Sequence, residues 1–184
     1  MTITIDTSSL KIPSMSTMNK AISSALNKTV VTARKEMSDA VRAKYNVKQK
    51  DLYSKMKITK STENNTQSVI FIRSKPIGLI HFGATASKAF DKGQKRYFKT
   101  KAKVLKSGDR KVVKGGFIGR AKNSSSWQVF RRTGDKRLPI VKMSVISPTT
   151  MVAKEGADDF EKVIVRDFKK NFDHELEYYL GKQK

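Results

Sequence analysis

Four lysines with odd residue numbers lie between Lys95 and Lys103. Side chains in a β-strand alternate between two faces, so these ammonium groups would share one face, suited to phosphate, while Phe98, Ala102 and Val104 take the other. A single lysine would be better explained as a guard against strand-on-strand aggregation. With cations from neighbouring strands and loops, the four form a candidate polyanion-binding set: Lys95, Lys99, Lys101, Lys103, Lys106, Arg110, Lys111, Lys114, Arg120, Arg131 and Arg132.

The segment VKGGFIGR, residues 113–120, has the glycines of a phosphate-binding loop but not their order. Such a loop places G-x-x-x-x-G-K-[ST] between a strand and a helix whose amides meet the phosphate. Here Arg120 is followed by Ala121, Lys122 and a serine run, without a lysine–hydroxyl pair or a helical pattern. We therefore predict that the glycines bend a sheet and allow close backbone approach.

Residues suited to catalysis or metal binding are few. The chain contains no cysteine, which excludes disulfides, thiolate metal sites and cysteine nucleophiles. We interpret His81 and His174 as structural or surface imidazoles. Asp158, Asp159 and Glu161 fall at the start of a predicted helix, where the helix dipole favours negative charge, and this explains them better than a metal site. We predict no enzymatic activity, no cofactor and no metal.

The net charge of +23 is concentrated in the middle of the chain. Residues 88–153 carry 18 basic and 3 acidic side chains, whereas residues 154–184 carry 7 and 8. Because like charges about 10 Å apart in water repel by ~0.4 kcal/mol per pair, the excess indicates a polyanionic partner. No zinc finger, helix-turn-helix pair or aromatic RNA-recognition strand is visible, so contacts to a nucleic-acid backbone should dominate over base reading.

Two long helices are predicted on either side of this basic middle. Apolar residues recur at steps of three or four from Met15 to Val41, which indicates an amphipathic helix capped by Ser14 and ended by a left-handed Asn46. A second helical stripe runs from Asp158 onward. Shorter helices are predicted in VKQKDLYSKM and from SPTTM onward, where Ser147 caps the helix and Pro148 takes the first helical position.

The segments between the helices are rich in β-branched and aromatic residues and are separated by turn signals. Strands are predicted in KITKST, QSVIFIRSK, IGLIHF, QKRYFKTKAKVLK, RKVVKGGFIGR, WQVFRRT and RLPIVKMSVI. The predicted fold class is α+β, with a long N-terminal helix, a central antiparallel β-sheet meander and a long C-terminal helix. Residues 1–13 are expected to form an N-terminal arm and residues 14–184 a single domain. No apolar run approaches the ~20 residues that span a bilayer, so no membrane contact is expected.

A family resemblance rests on the order of several short segments. These are YNVKQKDL after the first helix, PIGLIHF, GGFI, and VFRR shortly before LPI. Their order resembles that of the minor tail protein Z family of tailed bacteriophages, also called tail completion proteins, from about residue 20 to 180. The resemblance implies a non-enzymatic virion protein of the neck. The segment MTITIDTSSLKIPSMS lacks the basic start and continuous apolar centre of a secretory signal, so synthesis and assembly are expected in the host cytoplasm.

The same resemblance implies partners. They are further copies of the chain, in a ring that we expect to be hexameric, together with tail terminator, tube and head–tail connector proteins. Genomic DNA would pass through the ring and meet the basic residues through its backbone.

Charge alone also fits a free, sequence-nonspecific nucleic-acid-binding protein, which would bind duplex DNA as a monomer with a strong salt dependence. A nuclease would need carboxylates or histidines beside the basic surface. The central segment offers only Asp91, Asp109 and Asp135 for that purpose.

Overall fold

A computed structural model describes residues 13–86, 96–97, 99–121, 124–155 and 157–182. Lys95, Phe98 and residues 1–12 of the predicted arm lie outside the described residues. The chain divides into two units: the first holds residues up to Lys35, Ile58–Phe71 and the chain from Asp158 onward, and the second holds Glu36–Lys57 and Ile72–Ala157. The single domain over residues 14–184 stays a prediction.

Two antiparallel helix segments build the first unit. Helix α1 (Met15–Lys44) begins where the sequence predicts, because the Ser14 hydroxyl accepts the Thr17 N–H at 3.2 Å. The last helix spans Ala157–Gly181 and runs antiparallel to α1. Successive residues along α1 contact residues of the last helix whose numbers decrease. Small side chains spaced by four residues form the buried stripe of α1: Thr17, Ala21, Ala25, Thr29 and Ala33.

The amide of Asn27 on α1 holds the loop at residues 60–68. It accepts hydrogen bonds from Ser61 N (2.8 Å) and Ser68 Oγ (3.2 Å) and donates one to Ser61 O (3.0 Å). The loop joins strands β1 (Met56–Thr59) and β2 (Val69–Ile72), which form a two-stranded sheet.

The second unit contains an antiparallel sheet and a shorter ribbon. The strands are β3 (Arg96–Tyr97), β4 (Lys101–Ala102), β5 (Lys111–Val112), β6 (Gly116–Arg120), β7 (Trp127–Arg132) and β8 (Ile140–Lys142). Four of them form a sheet in the order β3-β6-β7-β8, while β4 and β5 form the ribbon. The helices α2 (Gln49–Tyr53) and α3 (Pro148–Lys154) complete the unit. Its most buried large side chains are Val41, Leu52, Met56, Phe82, Val129 and Met151.

The predicted α+β class is confirmed: a long first helix, small antiparallel sheets and a long last helix, α4 (Ala157–Gly181), follow one another. The predicted cap of α3 is also present, because the Ser147 hydroxyl accepts the Thr150 N–H at 3.2 Å.

Three local predictions are wrong. The segment IGLIHF is not a strand: Leu79–Phe82 forms a 3-10 helix that ends at a left-handed Gly83. Its apolar run has no period of two, and the turn buries Leu79 and Phe82, which are three residues apart. Asn46 is not left-handed either, since Lys99 alone among the described residues other than glycine has a positive φ. The side-chain amide of Asn46 instead donates to Lys103 O at 3.1 Å.

The third correction concerns the lysine strand. Instead of one strand across residues 95–104, β3 ends at Tyr97 and β4 begins at Lys101. Between them Lys99 has φ 54°, a left-handed conformation that interrupts a strand.

Candidate polyanion-binding surface

The glycines of GGFIG make a tight turn into β6. Gly116 N donates to Val113 O at 2.9 Å, which closes a β-turn with Lys114 and Gly115 at its corner. Gly115 has φ 66°, a conformation that glycine adopts without steric cost. A Cβ on Gly116 would lie 2.6 Å from Val113 Cγ1. The glycines therefore shape the sheet, as the sequence predicts.

The β4–β5 ribbon separates its cations onto two faces. Lys101 pairs with Val112 and Ala102 with Lys111, and directly paired residues share a face. Lys99 and Lys101 are exposed, whereas the residues that alternate with them, Thr100 and Ala102, are buried. Lys111 lies on the face opposite Lys101, so the ribbon does not bring these two lysines together.

The arginines of β6 and β7 also point to different sides. Arg120 pairs with Trp127 and Arg131 with Gly116, which places both arginines on one face of the sheet. Arg132 follows Arg131 directly and takes the other face. The guanidinium of Arg120 lies 4.4 Å from the centre of the Trp127 ring, a cation–π contact.

Arg110 is tied to the protein itself. Its Nη1 donates to Gly83 O and to Thr85 Oγ1, both at 2.9 Å. These bonds hold the segment that follows the 3-10 helix. Lys106 lies in an exposed turn, and its backbone N–H donates to Lys44 O at 2.8 Å. Lys103 is half-buried beyond the end of β4.

Three predicted cations, Lys99, Lys114 and Arg132, meet around one cleft. They come from the β3–β4 connection, the β5–β6 turn and the end of β7. The cleft has a volume of about 530 Å³, and its other lining residues are Val112, Val113, Gly115, Gly116, Phe117, Gly134 and Asp135. The sequence indicates Asp135 only as a turn residue, and the fold places it in the lining of the same cleft.

The described cations of the set form no ion pairs with described acids. Within the described part of the chain, no carboxylate lies within 4.0 Å of any of the ten members of the set that it contains, although other cations form ion pairs there. By sequence the second unit carries 27 basic and 7 acidic side chains, +20 of the total +23. The positive charge is therefore concentrated in one unit.

The described residues show no arrangement suited to metal chemistry. No group of three or more His, Cys, Asp or Glu side chains in them is placed to hold a metal ion. His81 Nδ1 lies 3.0 Å from Asp51 Oδ1, a pair that ties the 3-10 helix to α2. Among the helices that the structure describes, none is both long and apolar enough to cross a membrane.

Comparison with known proteins adds the identity of the family. Neither a curated protein nor a solved structure matched the chain. The family of prophage minor tail protein Z (GPZ) matches residues 7–183, nearly the whole chain. The chain therefore belongs to the prophage minor tail protein Z family and has a structural role in phage tails.

Proposed function

We propose that the protein is a tail completion, or head–tail joining, component that forms an oligomeric ring at the head-proximal end of the tail, with its basic surface towards the DNA. Family membership supports the tail role. The observation that carries the DNA path is electrostatic: ten described cations of the set have no carboxylate within 4.0 Å in the described chain. An excess of this kind needs an anionic partner.

Assembly makes the need for a counter-charge greater. Six copies at +23 each bring a formal charge of +138 into one ring. Duplex DNA carries roughly one negative charge per 1.7 Å of its axis, so a genome inside the ring would offset this repulsion. Contacts to phosphate need no base sequence, which suits a surface built from lysine and arginine.

The tail position is tested on purified tails. Cryo-electron microscopy should show density for several copies of the chain at the head-proximal end, and native mass spectrometry should give their number. Density at the distal tip, or absence of the chain from mature virions, would rule out the proposal.

A free, sequence-nonspecific nucleic-acid-binding protein is the second candidate, favoured by the +20 charge of one unit alone. It would bind duplex DNA without tail partners and would be absent from finished particles. Detection of stoichiometric protein in tails therefore decides between the two functions.

A further inference from the structure

We propose that the cleft lined by Lys99, Lys114 and Arg132, here called the phosphate cleft, binds a single phosphodiester group of a nucleic-acid backbone. The inference rests on the DNA path of the proposed function and makes it specific. It selects three cations from the larger set and adds Asp135, a residue of opposite charge, to the same site.

The first support is convergence. The three cations lie far apart in the sequence, and the fold brings them to one concavity. An arginine guanidinium offers a planar fork that matches two phosphate oxygens, while lysines act as point charges on flexible stems. Phe117 in the lining is 5% exposed, and Gly116 is buried and has no side chain. An apolar wall lowers the local dielectric and strengthens the attraction for an anion.

The second support is the backbone of Lys99. It has φ 54°, and among the described residues other than glycine it alone has a positive φ. Lysine is not a residue that favours this region, whereas asparagine and glycine are. Strained backbone of this kind clusters at ligand clamps, where the surrounding structure maintains it. Gly115, also left-handed, lines the same cleft.

The cleft also contains one group that opposes anion binding, the carboxylate of Asp135. It lines the cleft, yet it is not within 4.0 Å of a basic group in the described chain. A bound phosphate would be repelled by this carboxylate. Asp135 therefore weakens the contact, which suits a surface along which DNA has to move.

The test uses the full chain and a short fluorescent DNA duplex, with binding followed by anisotropy over a range of salt concentrations. Because one chain supplies all three cations, the phosphate cleft does not need the assembled ring. The variants Lys114→Gln and Arg132→Gln should each reduce the slope of log K against log salt by about 0.9 if each loses one phosphate contact. Lys154→Gln, an equal charge change on the exposed end of α3, is the matched control and should leave the slope unchanged.

Asp135→Asn gives a test by gain of binding. It should tighten binding several-fold more than Asp109→Asn, which makes the same charge change in an exposed turn outside the cleft. Equal effects of Asp135→Asn and Asp109→Asn would overturn the phosphate cleft, and so would equal salt slopes for Lys114→Gln and Lys154→Gln. In either case, binding by the wild-type chain would still support a DNA path.

Lys99→Asn separates binding from folding. Asparagine accepts the left-handed backbone and lacks the charge, so this variant should unfold at higher denaturant concentration than the wild type and bind DNA with a smaller slope. Unchanged binding would remove Lys99 from the site. No binding of duplex by the wild-type chain at low salt would refute the phosphate cleft but not a ring that binds DNA only after assembly.

Discussion

Gly115→Ala tests whether the turn into β6 depends on a left-handed glycine. Gly115 has φ 66°, and a Cβ built there would lie 3.6 Å from Arg131 Cγ, an ordinary contact. The cost is therefore almost entirely that of the backbone, about 1–2 kcal/mol for a residue with a Cβ. For a chain of this size, such a loss lowers the unfolding midpoint by about 2–8 °C.

The assay follows unfolding by the fluorescence of Trp127, the single tryptophan of the chain. Trp127 lies on β7, which pairs with β6, the strand that follows the turn. Gly115→Asn should cost less than Gly115→Ala, since asparagine adopts the left-handed region more readily. Gly108→Ala is the control: a Cβ there meets nothing within 4 Å, its φ is not positive, and the variant should match or slightly exceed wild-type stability. If Gly115→Ala and Gly108→Ala differ by less than about 0.5 kcal/mol, the conformational explanation of the turn is wrong.

Two further predictions concern cations with internal partners. Arg110→Gln removes both the charge and the guanidinium that donates the two hydrogen bonds, so thermal unfolding should shift down while the salt slope of DNA binding stays unchanged; a reduced slope would return Arg110 to the binding surface. The hydrogen bond and charge of Glu155 raise the pKa of Lys44 above the ordinary lysine value. The pair therefore stabilises the protein at neutral pH, and this contribution disappears as pH rises through the raised pKa; urea unfolding between about pH 9.5 and 11.5 should show a steeper loss for wild type than for Glu155→Gln.

The two long helices were predictable because their signals are local. A period of three to four residues marks both of them, and Ser14 caps the start of α1. The cap Ser147 marks the shorter α3 in the same way. The 3-10 helix at Leu79–Phe82 was not predictable in this way, since a short apolar run fits a strand and a buried turn equally well. Its shape depends on which side chains the second unit has room to bury.

The candidate site was predictable as a list of residues but not as an arrangement. Composition and spacing identify the eleven lysines and arginines of the candidate set, and the structure describes ten of them. Which of them meet depends on strand register and on the break at Lys99, where tertiary structure holds a backbone that local preference disfavours. Asp135 is only three residues from Arg132, but its place in one cleft with Lys99 and Lys114 depends on the same long-range packing.

Net charge therefore overstates the number of phosphate contacts that one chain can make. If all ten described cations touched phosphates, log K would fall with log salt at a slope of about −9. Arg110 and Arg120 are held by internal partners, and Lys111 and Arg131 face away from Lys101 and Arg132 respectively. The remaining six would contribute about −5 to the slope, of which the phosphate cleft supplies about half. A steeper measured slope would mean that cations other than these six also touch phosphate, and the internal contacts and strand register would no longer explain which side chains meet the DNA.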